Sequence, residues 1–157
     1  MRRATGSDGP AIRRIAHAGW WAAYRGLLRD ETIEWFLERA YSEERVDLRI
    51  ERHETWVALA DGAVALFAET AIEPDRVTLV AIYADPALRG LGLGTAALAS
   101  ITAAHPDLPV AADVLVGNTA GETFYAARGF VPREDIDEQL AGELVHERRW
   151  WLGEPPA

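Results

Sequence analysis

Apolar positions recur along this chain in two different periods, and the change from one to the other marks out its elements. Ile12, Ile15, Ala16, Trp20, Ala23 and Leu27 fall at helical spacing. They follow Ser7-Asp8-Gly9-Pro10, a cluster with the cap and first-turn residues of a helix. Asp30 can cap a second helix, in which Ile33, Phe36, Leu37, Ala40 and Tyr41 fall on one face. A short strand, Arg2 to Thr5, precedes both. The charged stretch from Ser42 to Glu54 predicts a solvated loop. From Thr55 the period shortens. Residues 55–60 and 63–70 read as strands joined by the hairpin signal Asp61-Gly62. Glu73-Pro74-Asp75 then turns the chain into a β-branched strand, Val77 to Tyr83.

The second half alternates strands and helices. A helix from Gly94 to Ala104 stops at Pro106, and Val110 to Val116 reads as a strand buried on both faces. Gly117-Asn118 breaks that strand. Thr119-Ala120-Gly121-Glu122 matches a capping box for a helix reaching Arg128, with Gly129 as its left-handed terminator. A short strand starts at Phe130, Asp135 to Gly142 is expected as an acidic loop, and Leu144 to Leu152 is a last strand. Trp150 and Trp151 should point to opposite faces there, one of them exposed as a pocket rim or a homodimer contact. No linker interrupts the pattern, so residues 1–157 are expected to form one domain with a frayed tail from Gly153.

Composition narrows the possible partners. The net charge of −9 argues against nucleic acid and mildly favours a cationic small molecule such as an amine. No apolar run is long enough for a membrane span, and the basic start leads into no apolar core, so a cytoplasmic address is expected. With no cysteine, a thiolate nucleophile and a cysteine-based metal site are excluded. His17, His53, His105 and His146 lack ligand spacing, so no metal is expected.

The strongest chemical signal is Asp85-Pro86-Ala87-Leu88-Arg89-Gly90-Leu91-Gly92-Leu93-Gly94-Thr95, set between a strand and an Ala-rich helix. Glycines let the backbone turn tightly and bring its N–H groups against an anion. The helix start adds unpaired amides and a positive dipole end, which suit a phosphate or pyrophosphate. A P-loop needs a lysine, and the chain has none. A dinucleotide fingerprint needs a third glycine where Thr95 stands. A coenzyme A pyrophosphate arm fits without mismatch.

That run, with the order of elements around it, resembles the GNAT superfamily of acyl-CoA-dependent N-acyltransferases. The likeness lies in two motifs. The first spans Leu79 to Leu98; the second runs from Val114 through Asn118 to Phe124-Tyr125-Ala126-Ala127-Arg128-Gly129-Phe130. The resemblance implies an α/β domain with a mixed, splayed sheet of six to seven strands and helices on both faces. It implies acetyl-CoA as acyl-donor cosubstrate and an amine acceptor, more often a small molecule than a protein N-terminus. A coenzyme A sensor without catalysis is the rival outside enzymology.

The resemblance also implies roles for individual residues. The backbone of Ile82, Tyr83 and Ala84 would hold the pantetheine arm, and an N–H near Ile82 or Tyr83 would stabilise the carbonyl oxygen. Amides of Arg89, Gly90, Leu91, Gly92, Leu93, Gly94 and Thr95 would hold the pyrophosphate. Asn118 would contact the arm, and Tyr125 would act as general acid toward the departing thiolate. Thr78 stands where members often carry an acid. The base is therefore sought elsewhere, with Glu69 the candidate. Trp21 and Tyr24 are expected at the acceptor pocket.

Overall fold

A computed structural model describes residues 1–52 and 54–157; His53 lies outside them. Seven strands form one mixed sheet in the order β1-β2-β3-β4-β5-β7-β6. They are β1 (Arg2–Arg3), β2 (Thr55–Ala60), β3 (Ala63–Ile72), β4 (Val77–Ala84), β5 (Val110–Leu115), β6 (Val131–Leu140) and β7 (Glu143–Leu152). Helices α1 (Gly9–Tyr24), α2 (Asp30–Ala40) and α3 (Glu43–Glu51) precede β2, while α4 (Leu93–Ala104) and α5 (Thr119–Ala126) flank β5.

The helices divide between the two faces of the sheet. Ile12, Ile15, Ile33, Leu37 and Val46 of α1 to α3 pack with Val57, Phe67 and Val145 in one core. Leu98 and Ile101 of α4 and Tyr125 of α5 pack with Leu79, Val110, Val114 and Trp150 in the other. Strand alternation sends successive side chains to these two layers, so both faces of the central strands are apolar.

Several expectations shift on contact with the structure. The first helix ends at Tyr24, not Leu27, because Gly26 turns left-handed at φ 83°. The charged stretch after Ser42 is helical: the Ser42 hydroxyl caps the Arg45 amide, and Val46 and Ile50 give α3 a narrow buried stripe. The expected acidic loop is strand β6, tied to β7 by Arg148–Asp135 and His146–Asp137 contacts of 2.9 and 2.6 Å. Asn118, not Thr119, caps α5, accepting from the Gly121 amide at 3.1 Å. Both Trp150 and Trp151 are buried, so neither marks a dimer contact or a pocket rim. Trp151 lies against β6, its indole donating to Glu134 at 3.2 Å.

Candidate active site

The site begins where the sheet fails to close. β4 and β5 run parallel and pair only at Val77↔Val110 and Thr78↔Ala111. Beyond those residues they diverge. The β3–β4 register slips at the same level: Thr70 faces Leu79 and Glu69 faces Ala81, which leaves Val80 bulged without a ladder partner and 60% exposed. A bulge adds local twist and turns the strand away from its neighbour.

A cleft of about 410 Å³ opens in this gap. The end of β4, with Ile82, Tyr83 and Ala84, lines one side, and Asp113 and Val114 of β5 lie across it. Arg89, Gly90, Leu91, Gly92, Leu93 and Gly94 close one end. Gly90 and Gly92 stand at φ 83° and 73°, a region that L side chains rarely adopt, so the turn into α4 depends on them. Among the described residues, no backbone carbonyl accepts from the amides of Gly92, Leu93, Gly94 and Thr95. These are the orphan donors of a helix N-terminus, and Gly92, Leu93 and Gly94 bring theirs to the cleft with the positive end of the helix dipole. A pyrophosphate arm fits that arrangement in charge and in donors.

Arg128, which the sequence offered only as a helix end, completes this region. It lines the cleft, lies 3.8 Å over the Phe124 ring and donates to the Thr95 hydroxyl at 2.8 and 3.1 Å. Thr95 itself is oriented by Arg128 and is not part of the cleft wall. Asn118 lines the cleft while capping α5, so one side chain holds both places.

Tyr125 enters the cleft from α5. Its ring is edge-packed on Phe124 and Phe130, and among the described residues its hydroxyl has no protein partner. Burial pushes its pKa above the ordinary phenol value, so the hydroxyl keeps its proton and remains a donor. Tyr24 also lines the cleft, its hydroxyl 2.9 Å from that of Tyr83.

Two expected residues lie apart from the cleft. Glu69 is buried on β3, 3.0 Å from Arg49 of α3, and lines neither of the two cavities described here. Burial raises its pKa while the Arg49 charge lowers it. Trp21 lies under Arg25 outside both cavities, and its neighbour Trp20 takes the cavity position instead. Thr78, at the position lacking an acid, donates at 2.6 Å to Glu73.

With this geometry the chain's relatives fall into place. Residues 20–130 match the Acetyltransferase (GNAT) family. The chain belongs to that family. The fold of this GNAT chain recurs in a PaiA N-acetyltransferase from Thermoplasma acidophilum in complex with coenzyme A. That structure is 24% identical with a TM-score of 0.78, over 93% of this chain and 95% of the other. It recurs in YncA, a putative acetyltransferase from Salmonella typhimurium with acetyl-CoA, at 19% identity and TM-score 0.68 over 99% and 95% of the chains. A ribosomal-protein-alanine N-acetyltransferase from Brucella melitensis aligns at 22% identity and TM-score 0.65 over 96% and 97%. A sequence comparison with curated proteins gives no significant match.

Sequence reasoning missed a second group of residues. Asp113 breaks the apolar run of β5 and is held by Arg149 of β7 at 2.7 and 2.8 Å. Glu147, two residues earlier on the same face of β7, borders the gap from the far side. Only the pairing of β7 with β5 brings it there, although period-two alternation places it beside buried Val145 and Trp151. Among the described residues no group of His, Asp and Glu gathers as a metal site requires.

Proposed function

We propose that this chain is an N-acetyltransferase that moves the acetyl group of acetyl-CoA to a small-molecule amine by direct attack on the thioester. One observation carries the reading: the unpaired amides of Gly92, Leu93 and Gly94 at the start of α4 stand at the end of a cleft formed by an unpaired strand edge. The T. acidophilum and S. typhimurium structures, which hold coenzyme A and acetyl-CoA, support the choice of donor.

When bound, acetyl-CoA supplies an activated acetyl group; the chain supplies position and charge. The Gly92–Thr95 amides and Arg89 bind the pyrophosphate. The backbone of Ile82, Tyr83 and Ala84 pairs with the pantetheine amides as a strand pairs at a sheet edge. An N–H of β4 near Ile82 or Tyr83 stabilises charge on the carbonyl oxygen. Tyr125 donates to the sulfur as the C–S bond breaks. Since burial makes its phenol a weaker acid than usual, that donation is a hydrogen bond and not a full proton transfer. Holding the amine against the thioester removes the entropy cost of a bimolecular encounter. The chain's lack of cysteine agrees with attack that uses no thiol-bound enzyme intermediate.

The test is release of coenzyme A thiol from acetyl-CoA across a panel of small amines and short peptides. Release with small amines and not with peptides is the expected result. Donor binding with no release from any acceptor would leave a binding module in place of an enzyme.

A further inference from the structure

Beside the donor cleft is a second cavity of about 240 Å³, in which Trp20 and Phe36 stack with ring centroids 3.9 Å apart. Tyr24, Leu79, Val80, Tyr83 and Asp113 line both cavities, so the two spaces meet at the bulge of β4. The second is the more acidic: Asp113, Glu138 and Glu147 enter it from β5, β6 and β7. Asp113 is already engaged by Arg149. Among the described residues, the side-chain carboxylate of neither Glu138 nor Glu147 has a hydrogen bond or an ion pair. Glu138 is exposed, but Glu147 is half-buried beside apolar walls, where a carboxylate without a paired cation is costly.

The Tyr24–Tyr83 contact adds an independent sign. Two hydroxyls share one hydrogen bond, so whichever donates, the hydrogen of the other lacks a protein acceptor. It lies where the cavities join. The junction therefore offers a donor and two carboxylates to a ligand that reaches the thioester from this side.

We propose that the second cavity binds the acceptor as an ammonium carrying an apolar or aromatic body, and that Glu147 is the base that takes its proton. This rests on the acetyl transfer proposed above. Glu147 takes one proton from the ammonium and returns it to solvent. The freed nitrogen then forms the C–N bond as the C–S bond breaks, and its second proton ends on the thiolate sulfur. Glu138 attracts the cation, while Trp20 and Phe36 cover its apolar part.

The electrostatics suit this role. Burial first, then the Glu138 and Asp113 charges, hold the Glu147 carboxyl up at about 7, with Arg149 pulling it down. Tyr24 and Tyr83 face the same space from α1 and β4, both raised by burial and so neutral; α2 contributes Phe36, which does not titrate. A base poised near the working pH combines a useful unprotonated fraction with a real affinity for the proton.

The experiment is the pH profile of kcat/KM for the best amine of the panel. In the unsubstituted chain it should rise through a limb near pH 7. Glu147→Gln should erase that limb and lower turnover on the order of a hundredfold, with acetyl-CoA affinity by calorimetry unchanged. Glu138→Gln, which removes a neighbouring negative charge, should move the limb to lower pH and raise KM for the amine more than it lowers kcat. A Glu147→Gln enzyme that keeps both the limb and the turnover overturns the inference alone. An unsubstituted chain that binds acetyl-CoA yet acetylates no amine overturns the proposed function and this inference with it.

Discussion

Gly19 of α1 lies against the ring of Tyr83 so closely that a Cβ at Gly19 would stand 2.7 Å from Cδ1. The helix thus packs on β4 through a missing side chain, and Tyr83 takes the space that keeps its hydroxyl at Tyr24. Gly19→Ala must displace that ring. Overpacking of this kind costs about 1–3 kcal/mol, so a lower Tm is expected together with a raised KM for the amine. An unchanged Tm would mean that α1 can slide on the sheet.

The donor site can be tested at Gly92, where added atoms meet open space but φ is 73°. Gly92→Ala carries left-handed strain alone, about 1–2 kcal/mol. Gly92→Glu adds a carboxylate among the amides meant for pyrophosphate. Calorimetry should show acetyl-CoA binding at least about tenfold weaker for Glu than for Ala, a gap of roughly 1.4 kcal/mol. Equal losses would place the phosphates elsewhere.

Tyr125→Phe removes one hydroxyl and leaves the packing on Phe124 and Phe130 in place. With one hydrogen-bond donor to the developing thiolate charge lost, turnover should fall on the order of a hundredfold while acetyl-CoA affinity changes little. Parallel losses in both would reduce Tyr125 to a packing residue.

Glu147 has a consequence for stability with a definite sign. Its carboxyl is raised in the folded state from 4.5 to about 7, so between those values the folded chain holds more protons than the unfolded one. Stability contributed by this group is therefore present at acid pH and lost as pH rises toward 7. Gln stays neutral throughout. Thermal melts of the ligand-free protein should give Glu147→Gln the higher Tm above pH 7, with the difference shrinking below pH 5. A lower Tm at high pH would show that the carboxylate has a stabilising partner.

Glu69 should separate from this behaviour. Glu69→Gln weakens the pairing with Arg49, which lines neither cavity, so it should lower Tm and leave the pH–rate profile of the enzyme in place. Loss of the limb near pH 7 in that variant would return Glu69 to the chemistry.

Local signals account for what was legible in the sequence. The turn at Gly90 and Gly92 could be read because only glycine accepts those backbone angles cheaply, and the helix after it follows from an Ala-rich run. The stripe of Ile33 and Leu37 in α2, continued by Tyr41 just past its end, could be read because all three are buried at helical spacing. α3 was hidden by its charges: Val46 and Ile50 alone are buried among nine residues. β6 was hidden because it is an edge strand with a mostly exposed face, held by cross-strand ion pairs that no single-strand pattern reveals. Glu147 and Arg128 were hidden for a third reason. Each is brought to its cavity by a partner distant along the chain, β5 for one and the Thr95 hydroxyl for the other.

Two rungs of pairing, Val77↔Val110 and Thr78↔Ala111, are all that join the halves of the sheet at β4 and β5. Under the function proposed above, a donor pairing with the free edge of β4 would supply rungs that the sheet lacks and become, for as long as it stays, part of the architecture. Slower deuterium uptake along both edges when donor is added would record that mortise closing. On that reading the donor is a structural element as well as a reactant, and the two halves of the sheet are held together more firmly with it than without it.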